Sequence, residues 1–252
     1  MTRRRTSMAL VIVGQLLPEC SVKGGSAMAL RYGAQTRFTK DLDAARTSGL
    51  SKFRSDFEER LLEGWEGFTG RLVEKKAPRP AGVPTAYVMK PFEIKISYKG
   101  KAWCTVSFEL GHNEIGDAEN PEPILAQDLA DLFTSLGFPA PSPVPVVPVV
   151  HQVAQKIHAS TAPGSERARD LVDLQLLGNR EQLDLRQIKT TCLRLFDYRN
   201  THLWPPTVVE GPDWQTLYAE AAQGLDVAHD VDSAIVWVNA LIVSIDRAVT
   251  TA

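Results

Sequence analysis

The sequence predicts an α+β protein, with a small mixed sheet followed by a helical carboxyl-terminal half. Three observations carry that prediction. Two β-rich runs flank Lys99-Gly100-Lys101, apolar residues recur at helical intervals beyond residue 150, and the proline-rich FPAPSPVPVVPVV at 138–150 stands between the two regions. With 252 residues, 44% of them apolar, the chain can bury one large core or two smaller ones.

At the amino terminus, Arg3, Arg4 and Arg5 precede MALVIVGQLL, a pairing that imitates an export signal. The apolar run is short, is interrupted by Gly14 and Gln15, and leads into Pro18 and Glu19 instead of a small-residue cleavage site. It is therefore read as the first helix of the domain. No stretch is long enough to span a bilayer.

The segment KGGSAMALRYGAQTRFTKDLD, Lys23 to Asp43, organises the rest. Gly24, Gly25 and Ser26 open a short helix over Ser26–Arg31. Glycine lets a ligand approach the main chain closely, and the free N–H groups at a helix start favour an anion. Asp41 and Asp43 are one residue apart, so in an extended segment they project to the same side. Paired carboxylates of that kind suit Mg²⁺, which prefers a few carboxylates plus substrate phosphates. Taken singly, the first signal also reads as a turn and the second as a solvated strand end. Together they read as a phosphate cradle followed by a metal clamp.

Ser51–Val73 places Phe53, Phe57, Leu61, Leu62, Trp65, Phe68 and Leu72 at the spacing of one helical face, with Ser51 as cap and Gly64 and Gly67 loosening the second half. A loop rich in Pro and Gly at 77–84 is expected to edge a cleft. Tyr87–Leu110 reads as two strands joined at Lys99-Gly100-Lys101. That pattern sets Glu109, Ser107 and Thr105 on one face, and Phe108 and Val106 toward the core. Ile124–Leu136 reads as a helix ended by Gly137.

The proline-rich stretch is an extended connector, read either as a domain boundary or as a strap over a single domain. The organisation adopted is a core at 1–137, the connector at 138–150, and a helical part at 151–252. His151–Ser160 reads as a helix carrying Lys156, and Thr161–Ser165 as a turn. In RARDLVDLQLL, Asp170 and Asp173 lie three apart on one helical face, opposite Leu171, Leu174 and Leu177. His151 and His158 share a face without a third ligand, which argues against a metal site there. Leu185–Tyr198, Trp214–Gly224 and Val231–Val249 complete the helical set, with Trp204, Trp214 and Trp237 assigned to the core.

A formal charge of −2 leaves no global electrostatic footprint for nucleic acid, so an RNA partner would need a local basic patch. Cys20, Cys104 and Cys192 are few, odd in number and without metal-ligand spacing, which fits a reducing, cytoplasmic setting.

Three motifs in order, KGGSAMALRYG with RFTKDLD, then HQVAQKIHAS, then RARDLVDLQLL, resemble the AbiEii/AbiGii (MenT-like) toxin family of nucleotidyltransferases, a branch of the DNA polymerase β-like superfamily. The resemblance implies a polymerase β-like nucleotidyltransferase fold in which Gly24, Gly25 and Ser26 bind the triphosphate and Asp41 and Asp43 hold Mg²⁺. It implies that Lys156 contacts the NTP phosphates and that Asp173 fixes the nucleotide or Lys156. Asp170 joins the nucleotide-binding set by orienting its neighbours. Such folds take a third carboxylate from a later strand. Glu109 stands where that acid is expected and would help activate the acceptor hydroxyl, with Glu93 as the alternative.

The implied reaction transfers a nucleoside monophosphate from NTP to an acceptor hydroxyl and releases pyrophosphate. The implied setting is a toxin that extends tRNA 3′ ends and is opposed by a separately encoded AbiEi-type antitoxin. Transfer to a protein or small molecule, and nucleotide binding without catalysis, stay open as readings of the same residues.

Overall fold

The computed structural model describes residues 2–77 and 88–249. The loop expected at 77–84 lies, apart from Ala77, outside the described residues. The chain divides into two compact units, Met1–Ala34 with Phe38–Val147, and Gln35–Arg37 with Pro148–Ala252.

Among the described residues, the first unit is built on a seven-stranded mixed sheet. Its strands are β1 (Cys20–Lys23), β2 (Asp41–Arg46), β3 (Phe68–Glu74), β4 (Lys90–Tyr98), β5 (Lys101–His112), β6 (Glu122–Ile124) and β7 (Val144–Val146). They lie in the order β3-β4-β5-β2-β1-β7-β6. Helices α1 (Arg3–Leu16), α2 (Gly24–Tyr32), α3 (Leu50–Glu63) and α4 (Gln127–Ser135) accompany them.

The β4–β5 hairpin forms where expected, because Lys99 and Gly100 both take positive φ, +47° and +78°, as a tight two-residue turn requires. One face of the central strands is apolar: Leu42, Phe92, Ile94, Val106, Phe108 and Leu110 are buried. Phe53, Phe57 and Leu61 of α3 join the same core, with ring centroids 5.7 Å apart for Phe57 and Phe108 and 5.8 Å for Phe53 and Phe57. Each such side chain contributes about 1.5–3 kcal/mol by leaving water. Helix α1 belongs to this core through Ala9 to Val13 and Leu16, all buried.

The helix expected over Ser51–Val73 is instead a helix and a strand. Gly64 and Gly67 have φ of +78° and +82°, and Glu66 between them has +49°, so the chain reverses there. A Cβ on Gly64 would lie 2.2 Å from the carbonyl oxygen of Phe68, which closes the turn to other residues. Phe68 then faces the core from β3, and Leu62 is exposed. The helix is entered from Gly49, not capped by Ser51. Ile124 ends strand β6, and α4 starts only at Gln127. Within the proline-rich stretch, Val144 and Val146 are buried in β7 while Pro145 points outward. Strand β7 pairs in parallel with β1 and antiparallel with β6.

The second unit is helical: α5 (Val149–Thr161), α6 (Ala168–Arg180), α7 (Leu185–Arg199), α8 (Trp214–Ala222) and α9 (Val231–Arg247). Asp184 caps α7 by accepting from the N–H groups of Arg186 and Gln187, and Asn200 ends it in the left-handed region at φ +46°. Ile157, Leu171, Leu174, Ile188, Trp214 and Val238 are among its buried residues. Of the three tryptophans assigned to the core, only Trp214 is fully buried, and Trp204 and Trp237 are half-buried. No helix among the described residues is long and apolar enough to cross a membrane.

Candidate functional site

In the first unit, the face of the sheet opposite the core carries the acids. Strand β2 alternates as expected, with Asp41 exposed, Leu42 buried and Asp43 half-buried. Strands β2 and β5 run parallel with Asp41 opposite Ser107 and Asp43 opposite Glu109. Register partners point to the same side of a sheet, at a strand spacing of about 4.8 Å. Glu109 is therefore the neighbour of Asp43, and it is exposed. Glu93 stands one strand further out, opposite Ser107 on β4, and is paired with Lys75 at 2.9 Å. The hydrogen bond and charge of Lys75 hold the Glu93 carboxyl below the usual carboxylate range.

Helix α2 begins against these acids. Gly24 has φ +65°, and a Cβ built on it would lie 2.4 Å from Oδ2 of Asp43. Only glycine brings the helix start this close to that carboxylate. Lys23 precedes the helix in extended conformation and gives it no side-chain cap, so no side chain of that residue competes for the first N–H groups. Gly25 and Ser26 are buried. The Ser26 hydroxyl donates to the carbonyl of Asp41, fastening α2 to the strand that bears the acids. With its proton engaged there, what Ser26 can offer an anion at the helix start is its main-chain N–H.

Two carboxylates on one face, beside a helix start that only glycine can form, fit the chemistry of Mg²⁺ completed by phosphate oxygens. Among the described residues no group of three His, Cys, Asp or Glu side chains gathers as a metal cluster. A metal here would rest on Asp41 and Asp43 with substrate supplying the remaining ligands.

In the second unit, the two lysine- and aspartate-bearing helices meet in a buried network. Lys156 on α5, 5% exposed, donates to Oδ2 of Asp173 at 2.6 Å and to Oδ1 of Asp170 at 3.1 Å, both on α6. Arg37, held in this unit with Gln35 and Thr36, forks onto Asp173: its Nε donates to Oδ1 at 3.0 Å and its Nη2 to Oδ2 at 2.8 Å. Arg167 donates to Oδ2 of Asp170 at 3.0 Å. Burial pushes the Asp170 carboxyl up, but Lys156, Arg167 and Arg37 together outweigh it and hold the group below its ordinary value. Two carboxylates buried against Lys156 and Arg37, with the exposed Arg167 at their edge, are an arrangement that charge pairing permits and solitary burial does not. The periodicity-based expectation of acids on one face and leucines on the other is only half met, since both aspartates are as buried as Leu171, Leu174 and Leu177.

His158, also on α5, lies in a separate cluster of this unit. Its Nε2 meets the Thr201 hydroxyl at 3.0 Å, and its ring centroid is 4.7 Å from that of His202. His202 bonds Thr161 through Nε2 at 2.8 Å, and burial lowers its pKa. Two residues of these sites were missed by the sequence reading. Arg37 precedes the Asp-x-Asp pair by four positions, and Lys23 shares the register row of Asp43.

The family model described as "Nucleotidyl transferase AbiEii toxin, Type IV TA system" matches residues 11–236. Among solved structures, the chain is similar to MenT4, a nucleotidyltransferase toxin from Mycobacterium tuberculosis. The two share 17% identity at a TM-score of 0.57, over 98% of this chain and 87% of that one. That likeness shows the fold. No curated protein matches the chain.

Proposed function

We propose a function from one premise: the chain belongs to the AbiEii family of nucleotidyltransferase toxins of type IV toxin–antitoxin systems. It transfers a nucleoside monophosphate from an NTP to the 3′ end of tRNA in the cytoplasm, and a separately encoded antitoxin of the AbiEi kind opposes it. The observation that supports this reading best is the carboxylate face, where Asp41, Asp43 and Glu109 lie on two register-matched strands beside the open start of α2.

In this reading Asp41 and Asp43 hold Mg²⁺, which when bound neutralises phosphate charge and polarises the α-phosphate. Gly24, Gly25 and Ser26 present main-chain N–H groups to the triphosphate. Glu109 takes the proton of the acceptor hydroxyl as its oxygen bonds the α-phosphorus. The bond to the bridging α–β oxygen breaks, and pyrophosphate leaves. The family resemblance gives Lys156 a part in nucleotide binding, and within the helical unit Asp173 and Asp170 orient it while Arg37 fixes Asp173. Catalysis of this kind is mostly positioning and charge neutralisation.

The test is to incubate the protein with Mg²⁺, total tRNA and each α-labelled NTP in turn. Label in the tRNA band is expected with at least one NTP and should vanish when the 3′ hydroxyl is oxidised beforehand. Label on protein or on a small molecule would replace the acceptor. No label anywhere would remove the enzymatic reading.

A further inference from the structure

Lys23 has no assigned part so far, and its surroundings are unusual. It is half-buried at the end of β1, opposite Asp43, which is itself opposite Glu109, so the three form one cross-strand row on the acid-bearing face. Its side chain does not end over its own strand. The ammonium lies 3.1 Å from where a Cβ on Gly111 of β5 would stand, so the stem has crossed β2. Gly111 sits opposite Ala45, and these two small residues leave the room in which the stem and ammonium lie. The Sδ of Met89 closes the same spot, 2.9 Å from that position.

An ammonium drawn across an acidic strand would be expected to settle on a carboxylate. This one does not: among the described residues, Lys23 makes no ion pair and no side-chain hydrogen bond. Lys156 differs, being buried and engaged by Asp170 and Asp173. A half-buried ammonium carries three donors that need acceptors. On the same face stand Asp43, the register partner of Lys23, and Glu109 beyond it, and α2 begins at the residue after Lys23. The ligand that satisfies all of these is a polyphosphate.

We propose that Lys23 is a phosphate-binding residue, its ammonium contacting the terminal phosphates of the nucleotide that become the leaving pyrophosphate. This rests on the nucleotidyltransferase reading above. Gly111 adjoins this position, and a side chain there would press on the ammonium at 3.1 Å and on Sδ of Met89 at 2.9 Å.

The test uses inorganic tripolyphosphate with Mg²⁺, a probe that carries no base, titrated calorimetrically into the full chain, with each of the four NTPs as parallel ligands. Lys23→Met is expected to weaken tripolyphosphate binding about tenfold or more, as loss of a charge-assisted contact does. Nucleoside monophosphate binding should be unchanged, and Lys23→Arg should recover most of the loss. Gly111→Ala, which keeps every charge, is expected to weaken the same ligand by pushing the ammonium aside, and covers the case in which Lys23→Met does not fold. Wild-type affinity in Lys23→Met, or equal losses for mono- and triphosphate, would overturn the assignment of Lys23 while leaving the nucleotidyltransferase reading standing. Failure of the wild-type chain to bind tripolyphosphate or any NTP would overturn both.

Discussion

Gly24 and Asp43 stand so close that a single methyl group on the glycine would fall 2.4 Å from the carboxylate oxygen, inside van der Waals contact. The start of α2 and the half-buried acid of β2 therefore share one small volume, and anything seated on the helix start is beside Asp43.

Gly24→Ala tests that relationship. The left-handed conformation alone costs an alanine about 1–2 kcal/mol. The carboxylate must also move, and a displacement near 1 Å in a reacting site costs about a hundredfold in rate. Thermal melting should show the small stability loss, and nucleotide labelling the much larger loss of activity.

Asp41→Asn and Asp43→Asn should each remove activity with the fold retained. Charge stabilisation by a bound metal is worth several kcal/mol in the transition state, or about a thousandfold or more in rate. Circular dichroism and the denaturation midpoint should match wild type, since Asp41 is exposed and neither side chain lies in the apolar core. Labelling of acceptor at wild-type speed by either variant would sink the metal clamp.

Lys156→Met removes the cation shared by Asp170 and Asp173. Both carboxylates stay buried with fewer partners, so unfolding free energy in urea should fall by about 3–5 kcal/mol. Asp170 adds a pH signature. Its carboxyl is held below the ordinary 3.8 in the fold, so its contribution is complete above that value and drains away as pH falls further. Asp170→Asn should flatten the acid limb of the stability curve.

His202 titrates in a milder range. Burial lowers its pKa from 6.5, so the unfolded chain takes up the proton first. The stabilising effect of the neutral ring is complete above pH 6.5 and is lost as pH falls below it. Urea midpoints measured from pH 7.5 to 5.0 should decline, and His202→Gln should remove that part of the slope.

Much of the fold was readable because its signals are local. The β4–β5 hairpin announces itself in Lys99-Gly100, and α5 to α9 follow from apolar spacing within single helices. The error at Ser51–Val73 came from Trp65, Phe68 and Leu72, which happen to continue a helical period. Only the backbone angles at Gly64, Glu66 and Gly67 show that the chain has turned into β3. The acids of β2 were visible as a pair, but the partnership of Asp43 with Glu109 depends on a parallel register between segments more than sixty residues apart. Arg37 was hidden for the same reason, since its carboxylate partner lies 136 positions further along. Lys23 looked like an ordinary residue before a glycine turn until the order of β1, β2 and β5 put it in line with the acids.

The three residues Gln35–Arg37 have a consequence for anyone who would dissect this protein. They are counted with the helical unit although the chain on both sides of them is counted with the sheet. The gene therefore cannot be severed at one codon into two self-sufficient halves. A fragment beginning at Pro148 would be born without the guanidinium that clasps Asp173.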